Sequence, residues 1–142
     1  MKTKIKSYLI TFFILLFTFL LFSEYLVRNL APTLNEKDDL LGWRLIKNLD
    51  LKFNQKSLLG NKYLVNFQTN QRGSRFYGNE KNSEIKALVI GDSMTNGPYT
   101  SNNETWFAYF AKKLEIKSDK KVYVEAIGSA GYGNFQQYLL TK

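Results

Sequence analysis

Apolar and polar positions divide this chain into stretches of different period. From Ser7 to Ser23 there is no charge, and the run is dominated by Leu9, Ile10, Phe12 to Phe17 and Phe19 to Phe22. Tyr25, Leu26 and Val27 extend it past Glu24, and Arg28 closes it. The uncharged core is 17 residues, the lower limit for a bilayer-crossing helix. Residues 29–41 read as a polar linker, with Pro32 and the acids Glu36, Asp38 and Asp39. Residues 42–86 form a lead-in segment with one short strand, where Tyr63, Val65 and Phe67 alternate with Leu64, Asn66 and Gln68. Asn70 to Gly73 reads as a turn and residues 76–85 as loop.

At Lys86 the pattern changes. Ala87-Leu88-Val89-Ile90 is a continuous apolar run ending at Gly91, which predicts a strand buried on both faces, as in a parallel sheet. Ser101 and Glu104 are spaced as a capping box. Phe107, Phe110, Ala111 and Leu114 then follow at i, i+3, i+4 and i+7, one face of a helix ending near the polar turn Lys117 to Lys121. Val122 to Ile127 predicts a second strand, Gly128 to Gly133 a glycine-rich loop, and Asn134 the cap of a last helix. Strand, helix, strand, helix implies a right-handed parallel unit of an α/β sheet.

Composition narrows the chemistry. The chain has 142 residues, no histidine and no cysteine. Zinc or haem sites built on these ligands, disulfides and a cysteine nucleophile are therefore excluded, and no metal or cofactor is expected. A serine hydrolase with a histidine base cannot be complete within these residues. The net charge is +8. Residues 1–30 carry four basic and one acidic side chain, residues 31–86 ten and six, and residues 87–142 six and five. The lysines are scattered rather than striped beside aromatics, so the reading is a basic surface near anionic lipid, with no nucleic acid. Lys2, Lys4 and Lys6 precede the apolar run as in a signal sequence, and no small-x-small cleavage site follows it. Residues 1–28 are thus expected to be a basic cytoplasmic tail and an uncleaved anchor, with residues 7–27 in the bilayer, the alternatives being a cleaved signal peptide or a buried core helix. The rest of the chain is expected on the periplasmic or extracellular side of the cell membrane.

Two motifs fall where open α/β sheets bind ligands, beyond the carboxyl ends of strands. Gly91-Asp92-Ser93-Met94-Thr95-Asn96-Gly97 follows the first strand. A serine on such a strand-to-helix turn is held out toward substrate, and the N–H groups of the turn can hold an oxyanion. The alternative is that Asp92 or Ser93 only caps a helix. Gly128-Ser129-Ala130-Gly131-Tyr132-Gly133 follows the second strand. Its glycines run opposite to the order of a dinucleotide-binding loop, and a plain turn is the alternative.

Together the two motifs, 38 residues apart from Ser93 to Gly131, resemble the SGNH (GDSL-type) hydrolase family. Leu88 to Gly97 looks like its first block and Ala126 to Gly133 like its second. Glu104-Thr105-Trp106-Phe107 is similar to the family's helix start. Gly42-Trp43-Arg44 and Asn70 to Arg75 are similar to the lead-in of membrane-anchored bacterial members. The resemblance implies a three-layer α/β/α flavodoxin-like fold after one transmembrane helix. Residues 87–142 would be the first half of the catalytic domain. It implies Ser93 as nucleophile and oxyanion N–H donor, Gly131 as a second donor, and Gly91, Asp92 and Gly128 in support. Ala126 stands where many members have asparagine. The family's Gly-x-Asn-Asp block and its Asp-x-x-His are absent, so the expectation is an N-terminal fragment of an esterase, inactive or nearly so alone. An acylated small molecule, lipid or glycan would be the substrate. The alternatives are an O-acetyltransferase acting on cell-envelope glycans, a degenerate pseudoenzyme, or a non-catalytic membrane-tethered binding module.

Overall fold

The computed structural model describes residues 2–30 and 33–142, without the side chains of residues 2–5, 7, 29 and 30. Ala31 and Pro32, in the expected linker, lie outside the described residues, as do the side chains of Lys2 and Lys4 in the basic tail. The chain divides into two units, Met1–Leu34 and Asn35–Lys142.

The first unit is one helix, α1 (Lys2–Leu30). Its stretch Tyr8–Arg28 is 21 residues with mean hydropathy 2.2, long and apolar enough to cross a membrane. At 1.5 Å per residue this matches the roughly 30 Å of bilayer hydrocarbon. Two of its hydroxyls are folded back onto the helix: Thr18 donates to Ile14 O and Ser23 to Phe19 O. A polar side chain bonded to its own backbone this way is cheaper to place in hydrocarbon.

The second unit holds more strand than the periodicity predicts. The expected linker contains β1 (Asn35–Asp38), which pairs antiparallel with β2 (Gly42–Leu45). The connection is an aspartate turn, with Asp38 Oδ1 accepting from the N–H groups of Leu40 and Leu41 at 3.0 and 2.9 Å. The lead-in is a set of strands rather than one. β3 (Asp50–Lys56) pairs antiparallel with β4 (Lys62–Gln68), and β5 (Arg75–Tyr77) occupies part of the expected 76–85 loop. These segments were illegible because their polar residues alternate with few apolar ones, and pairing supplies what pattern does not. Val65 and Phe67 of β4 are fully buried, as their alternation predicts. The 70–73 turn is present, with Gly73 N–H donating to Asn70 O at 3.0 Å.

The remaining elements are β6 (Ile85–Gly91), α2 (Ser93–Asn96), a 3₁₀ turn over Asn102–Glu104, α3 (Trp106–Ser118), β7 (Val122–Gly128) and α4 (Asn134–Leu139). The sheet order is β5-β7-β6. β6 and β7 are parallel, in register from Ile85↔Val122 to Gly91↔Gly128, and β5 is antiparallel to β7. The fold is thus mixed α/β with a parallel strand–helix–strand unit at its centre.

Four local expectations change. Asn134 is the first residue of α4 and Gly133 is its cap. β6 is not buried on both faces: α3 packs over the face of Ile85, Ala87 and Val89, whereas Leu88 on the opposite face is 57% exposed; β7, not β6, takes the central position. The capping box at Ser101 and Glu104 does not form. Ser101 Oγ instead accepts from the Asn66 N–H, and Thr105 caps α3 by accepting from Ala108 N–H. The buried face of α3 is Phe107, Ala108 and Ala111, with Leu114 at its edge, while Phe110 stays exposed. Rotating the face by this one position puts the small Ala108 and Ala111 inward. Phe107 and Ala111 then pack on Val122, Val124 and Ala126 of β7. Ala126 is buried between Arg75 on β5 and Val89 on β6, so the alanine of the second block is a packing residue in the sheet interior.

Candidate active site

Parallel register decides where the two glycine motifs meet. Gly91 and Gly128 are partners at the carboxyl ends of β6 and β7, so both loops leave the sheet at one level. They touch there. A Cβ on Gly128 would lie 2.8 Å from Asp92 O and 3.0 Å from Gly91 O, and a Cβ on Gly91 would collide with Thr95 Oγ1. The bare Gly128 lets one backbone rest on the other, and the bare Gly91 leaves room for the Thr95 side chain of its own turn.

Asp92 caps α2, its Oδ1 accepting from Met94 N–H at 2.9 Å. The cap and the nucleophile candidate are therefore different residues. Ser93 opens the helix, exposed, and its hydroxyl has no hydrogen-bond partner among the described residues. Thr95 and Asn96 lie beneath it, buried. Gly97 closes the turn in the left-handed conformation, its N–H donating to Ser93 O at 2.9 Å. The first N–H groups of a helix have no helical acceptor, so those at Ser93 are available to an anion.

Gly131 has φ +84°, a conformation in which a side chain is strained. Its loop is held from the β1–β2 hairpin. Trp43 Nε1 donates to Ala130 O at 3.0 Å, Tyr132 Oη donates to Trp43 O at 2.6 Å, and Ser129 Oγ donates to Asn35 Oδ1 at 3.0 Å. The Trp43 ring also lies where a Gly131 side chain would go, its Cζ2 3.2 Å from that position. The resemblance flagged Gly42-Trp43-Arg44 only as lead-in. Its contact with the second loop is across 87 residues of sequence and is invisible in pattern.

A second group missed by sequence reasoning is Arg75, fully buried. Its guanidinium donates to Asn96 O at 2.8 Å, Gly97 O at 2.7 Å, Thr100 O at 2.7 Å and Asn102 Oδ1 at 2.6 Å. It stacks 4.3 Å from the Phe67 ring centroid. No carboxylate pairs with it among the described residues, and burial lowers its pKa to about 10. It remains a cation at neutral pH, and four oxygen dipoles replace its water. Asn102 completes the knot, its Nδ2 donating to Gln68 O and Phe76 O. Arg75 thus fixes the end of α2 and the chain after it. The sequence shows only an arginine ending the 70–75 segment, with nothing to mark it as buried.

Beside Ser93 lies an open cleft of about 400 Å³, walled by Met94, Pro98, Tyr99, Thr105 and Trp106, with Glu104 as its one charged residue. Its apolar walls suit an uncharged group next to the serine. Among the described residues no group of three His, Cys, Asp or Glu side chains gathers. Nothing among them accepts the Ser93 proton. Compared with protein-family models, curated proteins and solved structures, the chain matches none.

Proposed function

We propose that this chain carries the nucleophile half of an SGNH-like serine esterase, tethered to a membrane by α1. The observation that carries the reading is the apposition of the two motifs. An exposed, unpartnered Ser93 opens a capped helix at the end of β6, and Gly128 rests on that turn from the next parallel strand. The wider reading, a three-layer flavodoxin-like domain with further strands, draws support from the parallel β6–β7 unit. The basic residues Lys2, Lys4 and Lys6 favour a cytoplasmic N-terminus, with residues 35–142 on the other side.

In the reaction, Ser93 Oγ attacks the carbonyl carbon of an ester and its proton passes to a base from outside these residues. The oxyanion is held by the N–H groups of Ser93 and Gly131. The C–O bond to the alcohol breaks, the alcohol leaves with a proton, and water then attacks the acyl-serine to release the acid. The apolar cleft favours an uncharged acyl group.

The lack of a described base near Ser93 gives weight to a second reading, a tethered non-catalytic module. One experiment separates the two. The chain is treated with a fluorophosphonate, with imidazole added as an external base, and compared with Ser93→Ala. The esterase reading expects labelling at Ser93, faster with imidazole. Equal labelling of the two proteins, or none, assigns the Ser93 turn a structural role.

A further inference from the structure

The β3–β4 hairpin ends in the turn Ser57-Leu58-Leu59-Gly60-Asn61, closed by Ser57 N–H donating to Asn61 O and Gly60 N–H to Ser57 O, both at 2.9 Å. The turn is therefore a formed structure, and it holds its two leucines out. Leu58 is wholly exposed and Leu59 is 88% exposed, more than any other large apolar side chain among the described residues. Single exposed apolar side chains are ordinary, and a pair at an apex is no site by itself.

The charges beneath the apex supply the second observation. The cross-strand pair next to the turn is Lys56↔Lys62. Like charges directly opposite destabilise a two-stranded ribbon, so this pairing is a cost the hairpin carries alone. Lys52 lies on the same face, as alternation along β3 requires, and so does Leu64, which is 58% exposed. No acidic residue occurs between Leu51 and Gln68, and no ion pair neutralises these lysines among the described residues. An apolar apex with a collar of amines matches one environment in both parts. Leucines enter the acyl boundary of a bilayer while lysines reach the phosphates of anionic headgroups. The same chain carries a helix long and apolar enough to cross a membrane, so a bilayer is at hand.

We propose that the Leu58–Leu59 tip, with its Lys56 and Lys62 collar, is a membrane-contacting loop that seats the folded unit on an anionic bilayer surface. The inference does not rest on the esterase reading, since no residue of the Ser93 site takes part. It bears on that site through one contact: Tyr63 Oη donates to Tyr99 O, in the wall of the Ser93 cleft, at 3.1 Å. Seating the tip would bring this wall toward the lipid.

The chain has no cysteine, so Leu59→Cys gives a single site for a bimane label. The full chain is reconstituted in phosphatidylcholine nanodiscs with and without phosphatidylglycerol, each containing doxyl-labelled lipid as a contact quencher. The same label on Asn82→Cys, an exposed loop position, is the reference. The expected result is a blue shift and quenching at position 59 in the anionic discs, well above that at position 82. Lys56→Glu with Lys62→Glu should abolish this excess. A label at 59 quenched no more than that at 82 overturns the proposal and leaves the tip to a protein partner. Equal quenching with and without anionic lipid, unaffected by charge reversal, overturns it too.

Discussion

A guanidinium buried without a carboxylate is stable only while every dipole around it points the right way. Arg75 meets that condition with three backbone carbonyls and the Asn102 side chain, all from the segment after Ser93. Removing it strands those acceptors in a dry interior. Arg75→Met should therefore lower stability by about 3 kcal/mol, measured by urea unfolding of the chain in detergent. Arg75→Lys should recover only part, because an ammonium cannot span the same fork. A loss below about 0.5 kcal/mol for Arg75→Met, the range of ordinary surface changes, would show that the knot is not structural. Ser93 is the opposite case, a residue whose place on an exposed turn was legible because the strand run and the glycines flanking the turn mark it.

At the scale of elements, the site depends on two strand ends lying close enough for backbone to touch backbone. Gly128 is where this is tightest, and the atoms it faces, Asp92 O and Gly91 O, cannot swing aside as a side chain could. Gly128→Ala should push the carboxyl ends of β6 and β7 apart, at about 1–3 kcal/mol of stability. On the esterase reading it should also slow fluorophosphonate labelling of Ser93. Wild-type stability and labelling in Gly128→Ala would mean that the loops are not in the contact described. The strands β6 and β7 were readable within two residues from their apolar runs, and α3 from its helical period, though it starts at Trp106 rather than after the expected cap at Ser101. Strands β1, β2, β3 and β5 were not, since a polar segment becomes a strand only when a partner accepts its hydrogen bonds.

For the whole of the second unit, one long-range ion pair ties the lead-in to the central strand. Arg72, in the 70–73 turn, donates to both carboxylate oxygens of Glu125 on β7, at 2.7 and 2.6 Å. Burial pushes the Glu125 pKa up, but the bonds from Arg72, Asn70 and Ser74 outweigh it, and the net direction is down from 4.5. A carboxylate depressed in the folded state contributes stability above its unfolded pKa. That contribution is lost as pH falls through the folded value. The stability difference between the wild type and Glu125→Gln should thus be constant from neutral pH to about pH 5 and shrink below about 4.5, read from urea midpoints. A difference unchanged down to pH 3 would place the stabilising force elsewhere.

The sequence by itself determined what depends on neighbours along the chain. These are the apolar helix of the first unit, the strands β6 and β7, the helix α3 between them and the glycine-flanked Ser93 turn. Each follows from a period or a steric rule acting within a few residues. Only tertiary structure decided that β5 joins the sheet antiparallel beside β7, that Arg75 anchors the chain after Ser93, and that Trp43 braces the second loop. These contacts join residues 21 to 89 positions apart. Their energies come from filling a shared interior and satisfying its buried polar groups, and no local pattern encodes which distant partner does so.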